Sequence, residues 1–217
     1  MKQVVLRLLF WALLAACPAF GADVIWNNNN GRAPGGDRSW GNAANWSGGS
    51  PGANESGNAL VKAWPDTSQS PVVDTAGNTA KEVYLDENGA LTVAEGGSLD
   101  CEAVVSGAWA NSGDIEVTGG LLKTGRLSLG ENGYAGGIRI AGGTVATQVL
   151  SIKAGAGAKI SVEVGGKLTA PEGDNLANIQ YWVENGFIVA HDGAQEYAIK
   201  VDTETLPGQV IVTAETR

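Results

Sequence analysis

Apolar residues occur along most of this chain in short runs of alternating character, rich in Val, Ile, Leu and Thr and separated by glycines. Such runs are too short and too Gly-interrupted for amphipathic helices and read as β-strands. Their spacing is regular. Gly-Gly pairs stand at Gly96-Gly97, Gly119-Gly120, Gly142-Gly143 and Gly165-Gly166, each 23 residues after the last. Positions at matching offsets agree in character: Leu99, Leu122, Val145 and Leu168; Val104, Leu127 and Leu150; the small residues Cys101, Thr124, Thr147 and Ala170. A fixed period of this length marks a stacked architecture whose units bury their apolar faces against one another. The pattern predicts an all-β chain, a parallel β-helix of about four to five coils.

If one repeat is one coil, residues 23 positions apart lie one above the other, about 4.8 Å apart. The two apolar series above and Ser106–Leu129–Ile152 are then inward ladders. Outward positions bring opposite charges together at Asp100 with Lys123 and Glu116 with Arg139. Lys81–Leu85 and Ala90–Val93 read as a first, imperfect coil, joined by the turn Asp86-Glu87-Asn88-Gly89. The third strand slips: Ile115 and Val117 align with Ile138 and Ile140, but the following unit carries Ile160, Val162 and Val164, one residue out of step. A bulge or shifted turn around residues 154–158 accounts for that.

The periodic region is flanked by two sections of different character. Residues 23–72 are dense in Asn, Gly, Ser and Pro and hold Trp26, Trp40, Trp46 and Trp64. Their frame is Trp26, a Gly-rich loop, Ser39-Trp40, Asn45-Trp46 and Pro51-Gly52. In this frame, and in the Gly-Gly repeats after it, the chain resembles secreted bacterial β-helix proteins related to autotransporter-associated β-strand repeat proteins. The resemblance implies a secreted right-handed β-helix, often part of longer surface proteins. After Pro171 the repeat stops. Leu176–Glu184 reads as a short helix with Asp174 or Asn175 as its cap and Gly186 as its stop. Three strand-like runs follow, at 187–190, 197–201 and 209–213. The expected organisation is a leader at 1–22, a Trp-rich cap at 23–72, β-helix repeats at 73–174 and a C-terminal cap of helix plus strands at 175–217.

The leader is inferred from Lys2 and Arg7, the apolar stretch Leu8–Ala16, and small residues near Ala19, Gly21 and Ala22, the pattern of a secretory signal peptide. Leu14-Ala15-Ala16-Cys17 also has the form of a lipobox, so Cys17 is the candidate lipid anchor if the leader is processed there. Both routes place the protein outside the cytoplasm, at the cell surface or beyond it, with no transmembrane segment expected in the mature chain. Without Lys2 and Arg7 the 14 basic residues fall to 12 against 23 acidic ones, a net charge of −11. That balance argues against nucleic acid as a partner. Cys101 is then the single remaining thiol, so no internal disulfide can form.

Candidate chemistry is sparse. The one histidine, His191, stands in a His-Asp-Gly turn, which leaves a Ser-His-Asp or Cys-His site without support. Asp86, Asn88 and Asn27–Asn30 offer oxygen atoms, but their spacing fits no EF-hand or calcium nonapeptide, and turn formation explains them. No metal and no cofactor are expected. The tryptophans admit two readings: core filling in a section short of aliphatics, or, at Trp40 and Trp46, exposed platforms for sugar rings. The expectation is a secreted, non-catalytic module with a structural or adhesive role. The alternative is a carbohydrate-binding accessory protein whose partner is an extracellular polysaccharide or a cell-surface component, with an enzyme such as a polysaccharide lyase the least favoured reading.

Overall fold

A computed structural model describes residues 23–26, 37–53, 58–62, 70–109, 112–153 and 157–217. The leader with Cys17, the Asn27–Asn30 run and Trp64 lie outside these residues. The chain winds into a parallel β-solenoid of about four turns.

One sheet collects β1 (Val24–Ile25), β2 (Ala59–Lys62), β4 (Asn78–Asp86), β6 (Ser98–Ser106), β8 (Leu121–Leu129), β10 (Thr144–Ile152) and β12 (Lys167–Pro171), all parallel. The other collects β3 (Val72–Val73), β5 (Gly89–Val93), β7 (Gly113–Val117), β9 (Gly136–Ile140), β11 (Lys159–Val162) and β13 (Ile188–Ala190), also parallel. The 23-residue register holds from β6 to β12: Leu99 pairs with Leu122, Leu122 with Val145, and Val145 with Leu168. These residues, with Val104, Leu127, Leu150, Ser106, Leu129 and Ile152, are all buried. Ser106 is polar, and its hydroxyl donates to the Gly113 carbonyl, so the ladder carries no unmet donor there.

The long strands of the first sheet bend. Pairing runs from Ser98 to Cys101, skips Glu102, Gly125 and Gln148, and resumes at Ala103. Leu99 and Cys101 point inward before the skip and Val104 and Ser106 after it, so the side-chain alternation changes parity at a corner. Each coil thus contributes two walls from one strand and a third from the other sheet. At the corner Thr124 and Thr147 each donate their hydroxyl to the carbonyl two residues on, at 2.8 Å in both cases. This satisfies a buried hydroxyl and explains the preference for small polar residues in that column. Cys101 shares the column, and burial pushes its thiol up to about 12.

The Gly-Gly pairs have a packing cause. A Cβ on the second glycine of each pair would strike the backbone of the coil below: Val73 at Gly97, Ala94 at Gly120, Gly120 at Gly143 and Ile140 at Gly166. Only hydrogen fits at that crossing. Outside the chain's core the expected charge pairs form. Lys123 Nζ lies 2.6 Å from Asp100, and Arg139 is held by Glu116 from one side and by Glu163 from the other.

The slip of the third strand appears in the register. Ile138 pairs with Ile160 and Ile140 with Val162, while Val145 still pairs with Leu168. The connection into β11 is one residue shorter than its counterpart, and Glu163–Gly166 restores the residue. Residues 154–156, where the slip was expected, lie outside the described set. The first coils vary more: Ala59 pairs with Val83, Val83 with Val104, and Leu91 with Ile115.

Two expected boundaries need correction. The stack does not begin at Val73, because β1 and β2 already pair in register within the first sheet. Nor does it end at 174, because β13 extends the second sheet. The helix α1 (Asp174–Glu184) forms, burying Ile179 and Trp182, but neither Asp174 nor Asn175 caps it by a side chain. The cap position is Gly173. Asn175 turns into the stack instead: its amide donates to the carbonyls of Gln148 and Pro171 at 3.0 and 2.9 Å, and its oxygen accepts from Leu150 N–H. The helix is pinned to the corner of β10, where that corner has interrupted the ladder. Beyond it, β15 (Gln209–Thr216) lies antiparallel on β12, and β14 (Tyr197–Asp202) antiparallel on β15. This hairpin covers the last parallel strand, as an open end requires.

Candidate binding groove

The tryptophans of the N-terminal section come together as core. Trp26, Trp40 and Trp46 are 6%, 1% and 3% exposed. Trp46 meets the other two edge to face, with ring centroids 5.0 and 4.8 Å apart. Trp46 Nε1 donates to the Trp40 carbonyl at 2.8 Å. Asn45, fully buried beside them, donates to the carbonyls of Asp37 and Ser39. The sugar platform read at Trp40 and Trp46 is therefore corrected: no ring face there is open to a ligand. The physical reason is the one weighed against it, since large rings fill the end of a stack that has few aliphatics to offer.

His191 also has a structural occupation. Its Nε2 accepts the Val164 N–H at 3.0 Å, and its ring stacks on Tyr197 with centroids 3.8 Å apart. It ties the capping hairpin to the last coil. Asn88 accepts a hydrogen bond from Ser112 across neighbouring turns. Among the described residues no group of three or more His, Cys, Asp or Glu side chains is placed to hold a metal, and no helix is long and apolar enough to cross a membrane.

A groove of about 760 Å³ lies on the outward face of the second sheet. Two outward columns build its floor. The first is Ala90, Asp114, Gly137 and Lys159; the second is Thr92, Glu116, Arg139 and Ser161. From β3 to β11 it crosses four strand spacings, about 19 Å along the solenoid axis. Small residues at Ala90 and Gly137 deepen the first column around Asp114. A Cβ at Gly137 would stand 2.7 Å from Asp114 Oδ1, so the glycine makes room for the carboxylate. Burial raises the Asp114 carboxyl above the ordinary aspartate value, partly offset by the Gly137 N–H that it accepts. At one end lie Arg38 and Ser70; at the other, Ser161 accepts the Asp192 N–H at 2.9 Å and Lys159 donates to the Asp192 carbonyl at 3.2 Å.

Three basic and three acidic side chains line this groove: Arg38, Arg139 and Lys159 against Asp114, Glu116 and Asp192. The balance favours a polar, uncharged ligand over a polyanion or polycation. All strands beneath it are paired on both sides, so the face offers side chains and not free backbone edges to a partner. Only the Glu116–Arg139 pair of this site was legible in the sequence. Asp114 and Gly137 become a unit once the register is known. The residues that sequence reasoning passed over are Tyr84 and Trp109, which stack on another face of the solenoid. The chain matches no known family model, no curated protein and no solved structure.

Proposed function

We propose that this protein is a secreted, non-catalytic β-solenoid module with a structural or adhesive role at the bacterial cell surface or outside the cell. The observation that carries the reading is the engagement of outward charges with one another. Arg139 is clamped between Glu116 and Glu163, Lys123 rests on Asp100, and Lys159 is bound to the Asp192 carbonyl. Such pairs contribute little stability individually, but across rungs they hold the walls in one fixed pattern. A fixed, mixed-charge surface suits contact with another surface better than it suits proton transfer. The leader-like first 22 residues and the resemblance carried by Trp26, Ser39-Trp40, Asn45-Trp46 and Pro51-Gly52 supply the expected location.

The test is cosedimentation of purified residues 23–217 with bacterial envelope preparations and insoluble polysaccharides, with release of reducing sugar ends followed in the same tubes. Retention without release is expected. Release of products, or retention on none of the surfaces, would refute the reading. The carbohydrate-binding alternative has its own support in the charge-balanced groove. It requires that Glu116→Ala with Arg139→Ala weaken retention on the polysaccharide that holds the wild type.

A further inference from the structure

Trp109 lies in the turn between β6 and β7 and is 51% exposed. Its other face is occupied, because the ring stacks on Tyr84 with centroids 4.8 Å apart and planes 27° from parallel. Tyr84 is an outward residue of β4, in register with Leu60 of the preceding coil and Ile25 before it. Its hydroxyl donates to Glu82, and this bond, with burial, raises the phenol to about 12. The bond to Glu82 fixes the orientation of the phenol. Lys62 Nζ stands 6.0 Å from the Trp109 ring centroid and forms an ion pair with Glu87 at 3.2 Å.

The result is an aromatic face braced by Tyr84, with the Lys62 ammonium over the ring at 6.0 Å from its centroid, Glu87 paired with that ammonium and Glu82 holding the Tyr84 hydroxyl. A single exposed hydrophobic side chain is ordinary. A ring already fixed by a second ring is different, since little rotamer freedom remains to be lost when a ligand covers it. The open face matches the C–H face of a pyranose, and the rim groups match its hydroxyls as donor and acceptors. Stacked nucleobases are disfavoured because Glu82 and Glu87 would face the phosphates. A lipid surface is disfavoured by the same carboxylates and the acidic chain. We propose that the open face of Trp109, held flat by Tyr84, is a stacking site for a neutral polysaccharide. The inference rests on the extracellular reading only for where such a polymer would be met.

Native electrophoresis through gels cast with a soluble β-glucan, a xylan or a galactomannan, beside a plain gel and a polygalacturonate gel, tests the site on purified residues 23–217. Retardation of the wild type in at least one neutral gel is expected. Trp109→Ala should weaken it about tenfold, Tyr84→Ala should weaken it less, and Tyr181→Ala, an exposed aromatic on α1 away from both sites, should leave it unchanged. The proposal is overturned by no retardation in any neutral gel, by retardation that survives Trp109→Ala, or by retardation lost equally with Tyr181→Ala. Unfolding midpoints of the variants verify their folds. If Trp109→Ala fails to fold, the wild type's tryptophan emission decides: a blue shift on adding the retarding polysaccharide supports the site, and unchanged emission refutes it. Sedimentation of wild type and Trp109→Ala identifies self-association, which would overturn the proposal if it alone accounts for the exposed ring. Secretion is measured separately by cell fractionation, so failure of the site and failure of the extracellular reading remain distinguishable.

Discussion

Replacing Gly143 by Ala adds one methyl group where two coils cross. The new Cβ would lie 2.6 Å from Val117 Cγ1 and 2.9 Å from Gly120 N, and closer still to the Gly120 carbonyl oxygen. Ordinary contact requires about 3.5–4.0 Å, so the coils must part by roughly 1 Å. The hydrogen bonds from Thr144 N–H to the Gly120 carbonyl at 2.9 Å and from Ala141 N–H to the Val117 carbonyl at 2.8 Å hold that same place together. Overpacking costs about 1–3 kcal/mol and a weakened hydrogen bond about 1 more, giving roughly 2–4 kcal/mol. For a chain of this size that is a fall of about 5–15 °C in melting temperature. Gly133→Ala is the control. Its φ of +85° strains an alanine, but its Cβ meets nothing within 4 Å, so the cost is about 1 kcal/mol. Urea unfolding of residues 23–217 followed by circular dichroism separates the two. Equal destabilisation by both substitutions would refute the packing account of the repeat.

Four further outcomes follow from the same geometry. Leu127→Ala, fully buried between Val104 and Leu150, should cost about 3 kcal/mol in urea, whereas Val149→Ala on the neighbouring strand β10, 53% exposed, should cost about 0.5; a silent Leu127→Ala would refute the register. Trp46→Phe loses the bond from its indole to the Trp40 carbonyl, while Trp40 Nε1 meets no acceptor among the described residues, so Trp46→Phe should be the costlier by about 1 kcal/mol. Cys101, buried and raised to about 12, should resist a thiol reagent at pH 8 until the chain unfolds; rapid labelling of folded protein would contradict its inward placement. Although Asp114 is exposed at the groove floor, partial desolvation by the groove raises its carboxyl, so the folded state holds that proton more tightly than the unfolded chain. Its ionisation therefore weakens the fold at neutral pH, and the loss is recovered as pH falls through the raised value. Asp114→Asn should accordingly stabilise at pH 7, with an advantage that shrinks in acid, measured by urea midpoints across pH.

The interior of the solenoid was readable because a stacked coil repeats its environment. Leu99, Leu122, Val145 and Leu168 occupy one environment four times, so composition at a fixed offset reports it directly. The slip at Ile160 was readable for the same reason, since inward Ile and Val residues must stay in line even when a turn loses a residue. The ends were harder. β1 and β2 pair like any other strands, but their spacing differs from 23 residues, and a glycine-rich, tryptophan-rich sequence disguised them as a separate section. Asn175 read as a helix cap by local rules. It is instead drawn to the carbonyls of Gln148 and Pro171, because the corner of β10 needs those partners more than the helix end does. The groove was largely illegible: Asp114 and Gly137 are 23 residues apart, and neither residue is distinctive alone.

The turns and corners absorb the irregularity. Coil spacing changes between Val83–Val104, Leu91–Ile115 and Ile138–Ile160, yet every one of these residues stays buried. Length is taken up in connections, where a longer loop costs little, and the inward ladders are left undisturbed. A position in the ladder is constrained from above and below, so substitution there threatens the stack. A position in a turn, or an outward position facing a glycine, is constrained by neither neighbour and is free to specialise. Trp109 stands in one such turn, and Asp114 beside Gly137 is the other case. Both depart from the residues at matching offsets in neighbouring coils. In this fold the repeat maintains the scaffold, and the proposed stacking site lies among the departures from it.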